Sequence, residues 1–274
     1  MLRLRLRQKL EIQNFKRGIQ TGRMAQESRG MPQRARKSRG ARFIRLNRGR
    51  FSIYKPLTYY MRFDILTIFP HAFDSYFNES MIKRAKARGL IKIFVHDIRK
   101  FSKNKHKKVD DIPYGGGPGM IMTPQPIYDT VRHVKKYNKG PVILLSPSGK
   151  LFTHKKARQL AKNKGLILIC GRYEGVDERV KKLCVDEEIS IGEYVLTGGE
   201  IPAMVILDAV SRFIPKFLGK KSSLHEESFS ESLDGKKEYP QYTRPPVFKD
   251  LKVPKVLQSG HHKNISDWRK KHLR

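Results

Sequence analysis

Four short apolar runs, separated by segments with helical periodicity, constrain the fold of this chain more than any other feature. Near-continuous apolar runs are typical of strands that are buried on both faces of a sheet. Strands that alternate with helices predict a parallel sheet. The chain is therefore expected to be an α/β protein with a parallel sheet flanked by helices. The runs are FDILTIF (63–69), LIKIFVHDI (90–98), PVILLS (141–146) and LILICG (166–171).

The intervening segments contain the residue types that begin and end helices. Thr153 is the expected cap of one helix, Asp177 is expected to begin another, and Gly165 is an expected helix end. A short helix is also expected in HHKNISDWRKKHLR, with Asn264 or Ser266 as its cap. The main helices are predicted over residues 71–88, 124–137, 153–164, 177–183 and 200–215.

The stretch ISIGEYVLTGGEIPA (189–203) combines three glycines with five apolar side chains. Glycine permits very close backbone approach, so the stretch indicates a buried loop that leads into a helix at a ligand site. A tight structural turn is the alternative. In parallel sheets, ligands bind beyond the carboxyl ends of the strands. The loops 146–149, 171–175 and 192–199 are all expected to lie there.

The formal net charge is +33, which favours polyanionic partners: nucleic acid first, an anionic membrane surface second. No run approaches the ~18 apolar residues that a membrane helix needs, so a soluble protein is expected. The two cysteines, Cys170 and Cys184, have no zinc or CxxC spacing, so we expect reduced thiols and a cytoplasmic location.

Residues 1–60 hold 17 Lys or Arg and two acids, and such a composition predicts disorder. This segment is interpreted as a solvated tail or an upstream extension with the true start at Met61; a basic RNA-binding arm is the alternative.

The residues alone leave the chemistry open. The glycine-rich GGGPG (115–119) lacks the Lys-Ser/Thr of a P-loop, and GxGxxG is absent. On the helix from Glu200, Asp208 and Arg212 lie one turn apart on a largely apolar face. Either the two side chains form an i,i+4 ion pair, or Asp208 holds Arg212 in place to face a substrate.

Seven motifs, in one order, resemble the TrmD family of bacterial tRNA (guanine-N1)-methyltransferases, in the SPOUT superfamily. The resemblance covers the chain from Met61 onwards. It implies an α/β domain with a deep C-terminal trefoil knot, a homodimer with active sites at the subunit interface, S-adenosyl-L-methionine as methyl donor, and methylation of N1 of guanosine 37 in tRNA. The motifs are DDIPYGGGPGM, SPSG, GRYEGVDERV, SIGEYVLTGGEIPAM, DAVSRFIP, ESFSESL and YPQYTRPP.

The resemblance also assigns roles to residues. Glu227 matches the general base, where the family has an aspartate, and Glu226 is the fallback. Arg212 matches the arginine that stabilises charge at O6, and Glu174 a carboxylate near the methyl donor. The target base is expected at Pro118, Gly119 and Arg212. No metal ligands are assigned, and the sequence leaves a role for Mg²⁺ open. The expected cofactor residues are Leu145, Ser146, Pro147, Gly171, Tyr173, Glu174, Gly175, Ile191, Gly192, Glu193, Tyr194, Val195, Leu196, Gly198, Gly199 and Pro202.

The expected organisation is an extension (1–60), a knotted cofactor domain (61–218), a flexible catalytic loop (219–238) and a tRNA-binding region (239–274) that is shorter than in the family. The Glu at position 227 and this short region leave two alternatives. One is a non-catalytic RNA-binding protein on the same fold, and the other is a knotted methyltransferase with another RNA target.

Overall fold

The computed structural model describes residues 42–45, 51–54, 60–219 and 226–274. The chain divides into two compact units, Met1–Pro56 and Leu57–Arg274. In the first unit, strands β1 (Arg42–Arg45) and β2 (Phe51–Tyr54) pair in an antiparallel arrangement. The disorder predicted for residues 1–60 stays a prediction. Apart from these two strands and Tyr60, it concerns residues outside the described part.

The second unit is built on a five-stranded sheet in the order β4-β3-β8-β7-β9, and every neighbouring pair is parallel. This confirms the predicted parallel α/β architecture; the knot stays a prediction. The strands are β3 (Met61–Thr67), β4 (Ile91–Asp97), β7 (Val142–Leu151), β8 (Gly165–Cys170) and β9 (Glu187–Ser190), and a separate antiparallel ribbon joins β5 (Asp110–Asp111) to β6 (Ile121–Met122).

Helices cover both faces of the sheet and form two apolar cores. One core joins the sheet to α1, α2, α4 and α6, and the other joins it to α3 and α5. The central strand β8 is buried at every residue, as its continuous apolar run predicts. The helices of these layers are α1 (Asp74–Phe77), α2 (Ser80–Ala87), α3 (Pro124–Lys135), α4 (His154–Leu160), α5 (Glu178–Cys184) and α6 (Glu200–Ser211).

Several boundaries differ from the predictions. The predicted cap Thr153 is confirmed, since its side chain accepts a backbone N–H hydrogen bond from the first turn of the helix. Asp177, predicted to begin its helix, is instead its N-cap and also accepts a backbone N–H hydrogen bond. The helix after Thr153 ends at Leu160, and Gly165 begins β8 instead of ending that helix. Strand β9 was not predicted, because its first half is charged and lacks an apolar strand pattern. Its pairing with the neighbouring strand β7 is seen only in the structure.

The C-terminal part contains a β10–β11 hairpin (Val247–Phe248 and Leu251–Lys252), a short helix α7 (Lys255–Gln258) and helix α8 (His262–Lys271). The predicted α8 is present, but neither Asn264 nor Ser266 caps it, since the helix begins earlier, with His261 at the N-cap position.

Candidate active site

A pocket of about 340 Å³ lies beyond the carboxyl ends of the strands, within the usual size range of small-molecule sites. Three loops, defined here as the pocket loops, surround it: 146–149, 171–175 and 191–199. The first arises because β7 bulges, so that Leu145 and Lys150 both pair with Ile189. The other two are joined by a bridge between Arg172 and Gly198, and by a 2.9 Å hydrogen bond from Gly199 N–H to the Gly171 carbonyl.

Two glycines are required by close approach to neighbouring groups. A Cβ on Gly199 would lie 2.6 Å from the Cα of Cys170 and 3.0 Å from the nitrogen of Gly171. A Cβ on Gly119, whose φ of +85° also favours glycine, would lie 2.5 Å from Cγ and Oε1 of Glu174. The first glycine lets the start of α6 touch the end of β8 beneath the pocket. The second, Gly119, brings the 112–120 loop against the Glu174 carboxylate on the rim of the pocket.

The described structure brings together all but one of the predicted cofactor residues. Glu193 is the exception, since its side chain is exposed and does not line the pocket. Pro118 adjoins Gly119 in a loop that backbone hydrogen bonds fasten to the second pocket loop, as in the 3.0 Å bond from Glu174 N–H to the Met120 carbonyl. Five further lining residues lie within the predicted ligand loops or the stretch 189–203: Ser148, Arg172, Ile189, Ser190 and Thr197. The lining residues that the sequence did not single out are Ile121, Leu144, Val176 and Lys181.

A buried ion pair holds two pocket loops to the sheet. Glu200, 3% exposed, accepts hydrogen bonds from Thr67 Oγ1 at 2.6 Å and Arg172 Nε at 2.9 Å. Arg172 also donates to the Thr197 carbonyl at 3.1 Å and lies 4.6 Å from the ring centre of Phe69. Sequence reasoning missed this pair, because a glutamate at a helix start normally faces solvent.

We expect Arg172→Met to lower the free energy of unfolding by about 3 kcal/mol, because it leaves the Glu200 carboxylate buried without its cation. Urea denaturation measures this. Arg179→Met is the matched control: the Arg179 side chain is exposed, so removing its ion pair with Asp177 is expected to change stability little. Equal losses in the two variants would contradict a structural role for the buried pair.

Cys170 lies beneath the same loops. Burial, together with the nearby charge of Glu200, raises the pKa of its thiol well above the usual range. The thiol therefore stays protonated and is not a nucleophile. Both cysteines are free, as predicted.

The predicted catalytic pair is in direct contact. Arg212, the C-cap of α6, donates from Nη2 to Oε2 of Glu227. The predicted interaction between Asp208 and Arg212 side chains is wrong: Asp208 accepts from the hydroxyl of Tyr76 instead. Burial and this bond raise the pKa of Tyr76 to about 12. Arg212 therefore pairs with Glu227, which lies beside the C-terminal end of α6.

The two oxygens of Glu227 are in different environments. Oε2 is held by Arg212, whereas Oε1 is buried and has no hydrogen-bond partner among the described residues. A carboxylate held at one oxygen, with a free acceptor at the other, suits a group that must remove a proton. Glu226, the fallback base, instead binds Tyr239 and Arg269.

Neither Arg212 nor Glu227 lines the pocket in the described part of this single chain. Apolar side chains next to the pocket are exposed: Val195 is 83% exposed, and Ile201 and Val205 on α6 are 56% and 41% exposed. Among the residues the structure describes, no group of three or more His, Cys, Asp or Glu side chains could hold a metal ion. Nor is any helix there long and apolar enough to span a membrane.

A parallel sheet with a ligand pocket formed by glycine-containing loops at its carboxyl edge defines an α/β protein of the small-molecule-binding class. Comparison with known proteins narrows the class. The family model of tRNA (guanine-1)-methyltransferase TrmD matches residues 61–274. The chain therefore belongs to the TrmD family.

Individual relatives agree with this assignment. A tRNA (guanine-N(1)-)-methyltransferase of Clostridioides difficile is 53% identical over 213 residues, covering 77% of this chain and 91% of that protein. One of Dictyoglomus turgidum is 56% identical over 211 residues, covering 77% of this chain and 84% of that protein. The crystal structure of a tRNA (m1G37) methyltransferase from Aquifex aeolicus superimposes with a TM-score of 0.65 at 42% identity, covering 78% of this chain and 89% of that one.

Proposed function

We propose that this chain transfers a methyl group from S-adenosyl-L-methionine to N1 of guanosine 37 in tRNA. The observation that carries the proposal is the convergence of the three pocket loops on one cavity, with the 112–120 loop fastened to its rim. Membership of the family and the net charge of +33 support an RNA substrate. A cytoplasmic location agrees with the free cysteines.

The pocket residues fit the methyl donor. Leu145, Ile191, Val195 and Leu196 offer an apolar surface for an adenosyl group, and backbone groups of the loops offer hydrogen bonds. The Glu174 carboxylate lines the pocket and suits the amino group at the amino-acid end of the donor. When bound, S-adenosyl-L-methionine supplies a methyl group already activated by a sulfonium. No role for Mg²⁺ is proposed.

The protein must then make N1 of guanine nucleophilic, because this atom carries a proton at neutral pH. Glu227 accepts that proton through its carboxylate, which Arg212 holds in place. Arg212 keeps the carboxylate in position and stabilises the negative charge that develops at O6. Glu174, in contact with Gly119, orients the reacting groups at the rim.

A homodimer with active sites at the subunit interface completes this arrangement. The exposed apolar residues beside the pocket and on α6 form a surface that a second copy would cover. Because Arg212 and Glu227 lie outside the pocket of their own chain, pairing of two chains would bring the catalytic pair of one to the pocket of the other.

The proposed function is tested by methyl transfer from labelled cofactor to unmodified tRNA with guanosine at positions 36 and 37. We expect incorporation into this tRNA and none when adenosine replaces guanosine 37, because the proton-removal chemistry requires the guanine N1. Binding of both cofactor and tRNA without incorporation would favour a non-catalytic RNA-binding protein. Equal incorporation into both tRNAs would place the target elsewhere.

A further inference from the structure

The segment that carries the proposed base is a closed loop, defined here as the base loop (226–239). Hydrogen bonds inside it join Phe229 N–H to the Lys236 carbonyl at 2.8 Å and Ser230 N–H to the Glu227 carbonyl at 3.0 Å. Another joins Glu238 N–H to Ser228 Oγ at 3.1 Å. The loop is therefore a folded unit, and a displacement of one end moves its other residues.

Both ends of the base loop are fastened to the C-terminal part of the chain. Glu226 Oε2 accepts hydrogen bonds from the Tyr239 hydroxyl at 2.9 Å and from Arg269 Nη1 on α8 at 3.3 Å. The Arg269 guanidinium also lies 4.9 Å from the ring centre of Tyr239, which is only 6% exposed. At the other end, Lys237 and Arg274 exchange two backbone hydrogen bonds of 2.7 and 3.0 Å.

The two adjacent glutamates thus bind different arginines. Glu227 binds Arg212 at the end of α6, and Glu226 binds Arg269 in α8. Consecutive Cα atoms are always about 3.8 Å apart, so fixing one glutamate restrains the other. Burial and the bond to Glu226 raise the pKa of Tyr239, which keeps its hydroxyl a donor.

We propose that Glu226 is a positioning residue that couples helix α8 to the base Glu227. Its contacts with Tyr239 and Arg269 set the distance between the base loop and α8, so a shift of α8 moves Glu227 relative to Arg212. The inference rests on the proposed function of Glu227. Helix α8 is basic, with Lys263, Lys270 and Lys271 exposed, so a bound RNA phosphate backbone would act directly on the element that holds the base.

The size of the effect separates this role from simple stabilisation. Glu226 and Arg269 are 57% and 41% exposed as side chains, and exposed ion pairs contribute little to stability. A catalytic group displaced by 1 Å, however, costs up to ~10²-fold in rate. Loss of the Glu226–Arg269 contact is therefore expected to lower kcat, with little change in the denaturation midpoint.

The test compares single and paired charge reversals at saturating cofactor. For Arg269→Glu we expect kcat to fall by about tenfold or more, with cofactor Kd unchanged, because the like charge repels Glu226. Lys83→Glu reverses the charge of an exposed lysine on α2 that has no ion pair among the described residues, and it is the matched control. It is expected to leave kcat near the wild-type value. The double variant Glu226→Arg/Arg269→Glu should recover most of the lost kcat.

Two outcomes would overturn the coupling: a wild-type kcat for Arg269→Glu, or a double variant no faster than the single one. Assaying Glu227→Gln in parallel keeps the two proposals apart. If Glu227→Gln retains full turnover, the assignment of the base fails first. If Glu227→Gln is inactive while Arg269→Glu is fully active, the base assignment stands and only the coupling fails.

Discussion

Replacing Glu227 with glutamine is expected to lower kcat by about 10²–10⁴-fold, the usual contribution of a general base. The amide has nearly the same shape as the carboxylate, so packing around it is retained, but it cannot accept the N1 proton. Single-turnover methyl transfer at saturating cofactor and tRNA measures the chemical step. Cofactor Kd should be nearly unchanged, because Glu227 does not line the pocket in the described chain.

Two further variants serve as comparisons for the loss of kcat in Glu227→Gln. Glu238→Gln removes a carboxylate from the same base loop, where the Glu238 side chain makes no hydrogen bond to any described residue, and should keep near-wild-type kcat. Glu227→Asp restores the residue type that the resemblance led us to expect, and should be much faster than Glu227→Gln. Equal kcat for Glu227→Gln and Glu238→Gln would exclude Glu227 as the base.

The sheet was predictable because β3 and β8 are nearly continuous apolar runs that leave one way to bury both faces. The pocket was predictable in outline for the same reason: parallel strands place their carboxyl ends at one edge. Strand β9 was not, since EEIS has no strong strand pattern and pairs only through the bulged β7. Its position depends on contacts across the sheet, which local periodicity does not contain.

The partners of charged side chains were the least predictable part of the site. Helical spacing correctly placed Asp208 and Arg212 one turn apart, but both have partners from distant segments, Tyr76 and Glu227. Glu200 is a similar case, because its partners come from a pocket loop (Arg172) and from the end of β3 (Thr67). A sequence pattern fixes which face a residue is on, while the choice among available partners is made by tertiary packing.

Replacing Gly199 with alanine is expected to have the largest effect on the pocket itself. The added Cβ would lie 2.6 Å from the Cα of Cys170, and backbone cannot move aside as a flexible side chain can. Overpacking of this kind costs about 1–3 kcal/mol. The hydrogen bond from Gly199 N–H to Gly171 would be strained as well, and with it the connection between two pocket loops.

Urea denaturation and cofactor titration together test this expectation. We expect Gly199→Ala to lose about 2 kcal/mol in unfolding free energy and to bind the cofactor at least about tenfold more weakly, which corresponds to 1.4 kcal/mol. Gly219→Ala is the matched control, since a Cβ there meets no described atom within 4 Å, and its stability should be unchanged or slightly higher. If both variants behave alike, then the close contact between Gly199 and Cys170 does not shape the pocket. If Gly199→Ala loses stability yet binds the cofactor normally, then the contact supports the sheet, and the pocket loops keep their geometry without it.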